Sequence, residues 1–383
     1  MTTIPPVRKA LVEEAADQCA QTSRILDRLQ GLPVERIPTS GERQDADFHD
    51  MEKETLRLVS FPGRFLKPCP GTKGYICCGY QILNIGTNCP LDCSYCILQA
   101  YFNQPCLRVF VNLEHELGSV LYLIDQNPDR IFRIGTGEFT DSLALDPIVG
   151  WTGMLTGPFS KRKNAVLEFK TKTDRIEGLL SSKSRDRIIV SWSLNSPFIA
   201  SKEEHGAPGI RKRLEAARRC QAEGYALGFH FDPLIDHPGW KEAYLKTVEL
   251  MDRYIDPRGV IWMSLGCFRF MPALKSIIRR RHPKSAVLDG EFVPALDGKM
   301  RYHKPIRIDM YGFMHEKLCQ WHEDLGLYLC MEAKEVWQEG LGWVPESSEG
   351  LSSYLDQRVR RFFPDSSRIP CEGAKIVTSR DSG

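Results

Sequence analysis

Short apolar segments alternate with helical segments through the middle of the chain, and this alternation constrains the fold more than any other feature. The apolar segments are nearly continuous and rich in β-branched and aromatic residues, as in strands that are buried on both faces. Strands are predicted at 81–86, 132–138, 165–171, 188–195, 225–232 and 260–267, and helices at 114–126, 141–156, 173–182, 208–223, 239–254 and 272–281. The pattern therefore predicts an α/β protein with a parallel sheet.

Six successive βα units fit two architectures, an open doubly wound sheet and a partial (β/α)6 barrel of the TIM type. Both place their chemistry at the carboxyl ends of the strands. Polar residues collect at those positions, among them Glu138, Lys172, Ser193 and Asn195. We therefore expect a functional face at this end of the sheet.

Three regions are expected along the chain. Residues 1–60 form an N-terminal extension with an amphipathic helix over 8–30, and residues 61–285 form the βα core. Residues 286–383 form a C-terminal extension, where 283–310 has the prolines of a loop with a hairpin and 311–337 has a helical pattern.

The charge balance limits the classes of partner. Lys and Arg number 51 and Asp and Glu 49, which gives a net charge of +2 and excludes nucleic-acid binding by bulk charge alone. The basic segment 279–284 remains a local candidate for phosphate contacts, as does Arg269. No run approaches the ~18 apolar residues of a membrane span, and the N-terminus does not resemble a secretory signal. We expect a cytoplasmic protein with no membrane partner.

Cysteine usage points to metal or thiol chemistry. The chain has 13 cysteines, an odd number, and without a secretory signal this argues against a disulfide framework. Cys89, Cys93 and Cys96 form a C-x3-C-x2-C motif directly after the first predicted strand. Three thiolates on one loop could hold an iron–sulfur cluster with one iron left open, or a zinc ion with a distant fourth ligand. The second alternative corresponds to a non-catalytic metal-binding module.

A second group of cysteines lies upstream of this motif. Cys69, Cys77 and Cys78 occur in a segment that is rich in proline and glycine. These thiols could hold a second metal or cluster, act as a redox pair, or form part of a structural loop.

The cysteine motif, with Tyr95 just before its third cysteine, resembles that of the radical S-adenosylmethionine (radical SAM) superfamily. The resemblance implies a partial (β/α)6 barrel and a [4Fe–4S] cluster on Cys89, Cys93 and Cys96. It also implies S-adenosylmethionine at the open iron, cleaved to a 5′-deoxyadenosyl radical, and a reductant such as flavodoxin or ferredoxin. The segment 135–138 (GTGE) is similar to the glycine-rich element of the superfamily that binds the amino group of S-adenosylmethionine.

Further motifs resemble the spore photoproduct lyase family, and together they cover roughly residues 80–285. They are CILQ at 96–99, LRVFVNL at 107–113, KTK at 170–172, SLNS at 193–196, RLEAAR at 213–218, GYALGF at 224–229 and HPGW at 237–240. The resemblance implies a DNA repair lyase that acts on a pyrimidine lesion. It also implies that S-adenosylmethionine is bound by Gly135, Gly137, Glu138, Lys172, Ser193 and Asn195.

The chain departs from that family at two positions. The family has a cysteine near the end of strand two that returns a hydrogen atom to the product radical, whereas residues 137–141 contain no cysteine and have Glu138 instead. The family also has a tyrosine after the third cluster cysteine, where this chain has Ile97. Cys267, at the end of strand six, is a candidate substitute donor, as is Cys106 near the cysteine motif; the alternative for both is a buried packing residue. The departures leave open a radical SAM enzyme that acts on RNA, a peptide or a small molecule.

Overall fold

The computed structural model describes residues 7–39, 53–72, 74–102 and 104–364. No helix in these ranges combines the length and the apolar character needed to cross a bilayer. The strands there are β1 (Lys9–Glu13), β2 (Val34–Ile37), β3 (Thr55–Val59), β4 (Leu66–Pro68), β5 (Gln81–Leu83), β6 (Gly86–Thr87), β7 (Asp92–Cys93), β8 (Leu107–Phe110), β9 (Phe132–Gly135), β10 (Ala165–Thr171), β11 (Ile188–Ser193), β12 (Glu204–His205), β13 (Ala226–Leu234), β14 (Val260–Cys267), β15 (Arg269–Phe270), β16 (Phe292–Pro294), β17 (Met300–Tyr302) and β18 (Leu327–Leu329). The helices are α1 (Glu14–Asp17), α2 (Ala20–Arg28), α3 (Leu98–Tyr101), α4 (Leu113–Asp125), α5 (Asp146–Val149), α6 (Trp151–Ser160), α7 (Glu177–Ser181), α8 (Pro197–Glu203), α9 (Ile210–Ala222), α10 (Trp240–Tyr254), α11 (Pro272–Arg281), α12 (Lys304–Trp321), α13 (Lys334–Leu341) and α14 (Ser348–Phe362).

The main sheet has eight strands in the order β18-β14-β13-β11-β10-β9-β5-β4. Every pair in it is parallel except β4 with β5, which is antiparallel. From β5 to β18 the spatial order follows the chain order, whereas a doubly wound sheet reverses its order at a switch point. The sheet is therefore a half-barrel, and the prediction of a partial barrel is confirmed.

Burial explains why the strands were recognisable in the sequence. Strands β11 and β14 are buried at every position, because helices cover the outside of the sheet and side chains fill its inside. Each of the six predicted strands overlaps a strand of this sheet, and each predicted helix overlaps at least one helix.

The N-terminal region differs from its prediction. The helix expected over 8–30 is replaced by β1, α1 and α2, so that prediction was wrong for its first residues. Strand β1 lies between β2 and β3 in a second sheet of order β2-β1-β3-β8-β6. Ala10, Val12 and Glu13 of β1 are buried there, and pairing with two strands outweighs the helical pattern of its sequence.

The C-terminal region adds a strand to the barrel. The predicted hairpin within 283–310 is confirmed as β16 and β17, but the helix predicted over 311–337 is interrupted by β18. Strand β18 pairs with β14. Shortly after β18, Glu332 forms an isolated bridge with Ile76, which lies in the segment that leads into β5. The two edges of the half-barrel are therefore connected. The boundaries at residues 60 and 285 stay a prediction, and parts of both outer regions lie outside the described residues.

Candidate active site

A cavity of about 490 Å³ opens among the carboxyl ends of the parallel strands. Barrels of this type perform their chemistry at that end, because the loops that follow the strands meet there. Its wall includes the following side chains that can carry charge or bind metal: Cys69, Cys78, Cys89, Cys93, Cys96, Glu138, Asp141, Glu168, Lys170, Lys172, His230, Asp232, Arg269, Lys299 and Cys330.

The predicted cluster cysteines lie on one loop, and Cys89, Cys93 and Cys96 all line this cavity. The loop follows β6 and contains β7, which pairs antiparallel with β12 so that Cys93 lies opposite Glu204. The backbone N–H of Cys96 donates to the carbonyl oxygen of Cys93 at 3.1 Å, which closes a tight turn. Backbone pairing thus brings three thiols to one wall.

Asn88 begins the cluster loop in a left-handed conformation, with φ of 66°. Asparagine tolerates this conformation better than most residues do. Its side-chain amide donates to the carbonyl oxygens of Gln104 at 2.7 Å and Cys106 at 2.8 Å. The residue therefore fixes where the loop leaves β6.

Glu204 supports the loop from below as a buried carboxylate. It accepts hydrogen bonds from the hydroxyl of Tyr95 and from the guanidinium of Arg213 on α9. The side chains of Glu204 and Arg213 have no exposed surface. Although burial acts to raise its pKa, Arg213 and the other donors hold the pKa of Glu204 below its ordinary value. The pair is therefore a charged anchor beneath the cysteines.

Part of the basic segment 279–284 serves the cluster loop. The guanidinium of Arg281 donates to Asp92 at 2.9 Å and to the side-chain oxygen of Gln99. Lys53 pairs with the same carboxylate at 2.9 Å. Arg281 is therefore engaged within the protein, so it is a poor candidate for the phosphate contacts that the sequence suggested.

The thiols of the loop suit a soft metal centre. Burial raises the pKa of Cys89 to about 12 and raises the pKa of Cys93 as well, so these thiols keep their protons until a metal displaces them. In the described ranges, no three His, Cys, Asp or Glu side chains converge as the ligands of a single ion do. In an iron–sulfur cluster each thiolate binds a different iron atom. The cysteines that hold a cluster therefore face a common cavity, whereas the ligands of a single ion converge on one point. The donor set fits a cluster with three protein ligands.

Four of the residues expected at S-adenosylmethionine line the same cavity, namely Gly137, Glu138, Lys172 and Ser193. Gly137 allows a close approach of two strand ends, since a Cβ there would lie 2.7 Å from the Cβ of Lys170. The ammonium of Lys172 lies 5.8 Å from the ring centroid of Tyr95. The structure brings these residues to the cavity that the three cysteines line.

The other two expected residues lie outside the cavity. A Cβ at Gly135 would lie 1.4 Å from the hydroxyl of Tyr80, so the glycine makes room for that side chain. The side chain of Asn195 is buried, where its amide donates to the carbonyl oxygen of Pro233 at 3.0 Å and its oxygen accepts from Tyr244 at 2.6 Å. Both positions support the strand ends without lining the cavity.

Glu138, which occupies the position where the family has its hydrogen-donor cysteine, has a charged partner. It forms an ion pair with Lys170, which was not among the predicted site residues. Burial acts to lower the pKa of Lys170, but Glu138 outweighs this effect and the pKa is raised. The pair places opposite charges in the cavity wall. The KTK motif was the available signal for Lys170.

Glu168 is the hub of a polar network under the cavity. It accepts hydrogen bonds from Tyr80 at 2.7 Å, Trp262 at 2.9 Å, His230 at 3.0 Å and Ser191. Burial acts to raise its pKa, yet His230 and the other partners lower the pKa of Glu168. These donors therefore hold Glu168 in place and favour its carboxylate form.

The cysteines outside the C-x3-C-x2-C motif do not line the cavity in the way that the sequence predicted. Cys267 is buried with its sulfur 3.9 Å from that of Met310, and it does not line the cavity. Cys69 and Cys78 line the cavity, whereas Cys77 does not. Cys330, which follows β18, lines it too. Cys330 was not among the predicted site residues because the helical pattern predicted over 311–337 includes it, although the Gly-Leu-Tyr-Leu segment before it is typical of a strand.

Comparison with solved structures supports the fold. The structure matches a spore photoproduct lyase mutant with bound AdoMet and dinucleoside spore photoproduct at a TM-score of 0.71. The match has 21% sequence identity and covers 84% of this chain and 98% of that chain. A spore photoproduct lyase complexed with dinucleoside spore photoproduct gives the same values.

Sequence comparison identifies the family. The chain is 27% identical over 204 residues to the spore photoproduct lyase of Geobacillus sp. (strain Y412MC61), covering 52% of this chain and 60% of that protein. It is 26% identical over 234 residues to the enzyme of Bacillus subtilis (strain 168), covering 60% and 66% respectively. The matched region thus spans less than two thirds of the length of these relatives. The sequence model of the family described as spore photoproduct lyase matches residues 77–308, which is more than half of the chain, and the chain therefore belongs to the spore photoproduct lyase family.

Proposed function

We propose that this protein is a radical SAM lyase that repairs a pyrimidine lesion of the spore photoproduct type in DNA. The observation that carries the proposal is the shared cavity: the three thiols of the cluster loop open onto the same space as Glu138, Lys172 and Ser193. Membership of the spore photoproduct lyase family supports the choice of reaction.

The residues present divide into two binding sets. Cys89, Cys93 and Cys96 would hold a [4Fe–4S] cluster, and Gly137, Glu138, Lys172 and Ser193 would hold S-adenosylmethionine. Once bound, these cofactors supply a 5′-deoxyadenosyl radical for hydrogen abstraction from the substrate. The ammonium of Lys172 provides a cation for the carboxylate of S-adenosylmethionine. Glu138 offers an anion for the amino group, and Lys170 keeps that carboxylate oriented.

DNA is the proposed substrate because the matched structures hold a dinucleoside spore photoproduct. The net charge of +2 gives little general attraction to DNA, so phosphate contacts must be local. Arg279, Arg280 and Lys284 are exposed on and after the last turn of α11 and offer such contacts, whereas Arg281 is paired with Asp92. A flavodoxin- or ferredoxin-type reductant is the proposed electron source.

The test is an anaerobic turnover assay. The protein is reconstituted with iron and sulfide, reduced with dithionite, and given S-adenosylmethionine with either dinucleoside spore photoproduct or the undamaged dinucleoside. We expect 5′-deoxyadenosine and restored thymine only with the lesion. Cys93→Ala should lose the cluster absorbance and both products. The control is Cys220→Ala, which changes a buried cysteine of α9 and should keep the absorbance and both products. Equal 5′-deoxyadenosine formation with the lesion and with the undamaged dinucleoside would contradict the repair function.

A further inference from the structure

Within the part of the chain that the structure describes, three thiols outside the cluster motif line the cavity: Cys69, Cys78 and Cys330, here called the thiol wall. Cys69 follows β4, Cys78 precedes β5, and Cys330 follows β18. The wall therefore lies where the two edges of the half-barrel approach each other, next to the bridge between Ile76 and Glu332. The cluster and S-adenosylmethionine sites proposed above leave these thiols unassigned.

We propose that the thiol wall returns a hydrogen atom to the substrate radical and that Cys330 is the donor. The inference rests on the proposed function, since a reaction that begins with hydrogen abstraction leaves a carbon radical that must be quenched. A thiol suits this step because an S–H bond is weaker than the C–H bond that forms. The carboxyl, ammonium and aliphatic hydroxyl groups of the cavity have stronger bonds to hydrogen.

The position of Cys330 favours it within the wall. Its backbone N–H donates to the carbonyl oxygen of Leu265 at 2.9 Å, which continues the β18–β14 pairing to the catalytic end of the barrel. The guanidinium of Arg269 donates to its sulfur at 3.5 Å, and Arg269 is itself held by Asp232 at 3.2 and 3.3 Å. Cys330 is half-buried, so its sulfur is fixed in direction but open to the cavity.

The thiol keeps its hydrogen in this environment. Burial and the nearby carboxylate of Asp232 raise the pKa of Cys330 well above its ordinary value. A thiolate carries no hydrogen atom to donate, so a raised pKa serves this role and opposes the use of Cys330 as a nucleophile.

The S–H bond of Cys330 breaks homolytically and a C–H bond forms on the substrate, which leaves a closed-shell product and a thiyl radical on Cys330. A low-molecular-weight thiol then gives its hydrogen atom to the thiyl radical on Cys330, and the thiyl radicals that two turnovers leave on such thiols combine to one disulfide. Cys69 and Cys78 provide a route for this return, since exchange of hydrogen between thiols breaks and forms the same kind of bond.

The decisive experiment measures solvent deuterium in the product. Thiol hydrogens exchange with water, so the wild-type enzyme in D₂O should place one deuterium in each repaired thymine pair. Cys330→Ser, which keeps the size of the side chain, should lower the yield of repaired product by at least about tenfold while 5′-deoxyadenosine still forms. Cys267→Ser, a neighbouring thiol outside the cavity, should behave as wild type in product yield.

A second measurement does not depend on turnover. Methyl methanethiosulfonate is applied to the folded, cluster-free protein, and modified cysteines are identified by mass spectrometry. Cys330 should be modified well before Cys267, because only Cys330 faces the cavity although burial raises the pKa of both thiols. Equal protection of the two would overturn the proposal.

The outcomes separate the inference from the proposed function. If wild type repairs the lesion and Cys330→Ser does so equally well, the donor assignment fails and the function stands. If wild type does not act on the lesion, both fail. If Cys330→Ser binds about half the iron of wild type, the thiol wall holds a second cluster and the donor assignment is overturned.

Discussion

Asp92 shows how a single residue of the cluster loop is tied to the rest of the protein. It lies between Cys89 and Cys93 and pairs with both Lys53 and Arg281 at 2.9 Å. Burial acts to raise its pKa, but the two cations outweigh burial and lower the pKa of Asp92 to about 2. The carboxylate therefore stabilises the folded state in its charged form.

The sign of the pH dependence follows from this lowered pKa. The contribution of Asp92 is complete above the unfolded-state pKa of ~3.9 and disappears as pH falls towards about 2. Asp92→Asn should be less stable than wild type by an amount that is constant between neutral pH and about pH 5 and shrinks below about pH 4. Urea unfolding of both proteins across this range measures the difference. A difference that already changes near neutral pH would show that another group is responsible.

At the scale of elements, α9 and β12 hold the cluster loop in place. Strand β12 pairs with β7 inside the loop, and the Glu204 of β12 is held by Arg213 from α9. Neither element has a cysteine of the motif, so the sequence motif alone gave no sign of their role.

Arg213→Met tests this support. Removing one partner of a buried ion pair leaves Glu204 charged and unpaired, and should cost about 3–5 kcal/mol of unfolding free energy. The matched control is Arg211→Met on the same helix, whose side chain is 70% exposed and pairs with Glu215 at 3.9 Å. That substitution should cost about 1 kcal/mol or less. Chemical denaturation measures both, and equal effects would contradict the assigned role of the buried pair.

At the scale of the whole molecule, the C-terminal helix α14 covers the amino-terminal end of the barrel. Arg358 donates to the carbonyl oxygen of Ile261 at 2.9 Å, at the start of β14. Asp356 pairs with Arg133 of β9 at 2.8 Å. The apolar side of the helix is buried, and it includes Leu351, Leu355 and Val359.

Ending the chain at residue 347 should therefore unfold the barrel. Loss of three buried aliphatic side chains removes roughly 5 kcal/mol or more, which is comparable to the whole stability of a typical domain. A chain that ends at residue 364 keeps all of these contacts and is the control. Thermal unfolding and soluble yield measure the result. A shortened chain with an unchanged melting temperature would show that α14 is dispensable.

The sequence by itself determined the barrel core and the cluster loop. Strand β14 was predicted to the residue, because complete burial leaves a nearly continuous apolar segment that is visible without any partner. The C-x3-C-x2-C motif was visible because its three cysteines are close together in the chain.

Only the tertiary structure decided which distant residues share the cavity. Strand β18 has three residues, too few for a periodic signal, and it is a strand because β14 offers a parallel partner. That pairing brings Cys330 to the cavity and leaves Cys267 packed against Met310. The local sequence pattern indicates whether a segment is buried. The direction of a side chain at a strand end depends on the neighbouring strands, which are distant in the sequence, so the local pattern cannot predict it.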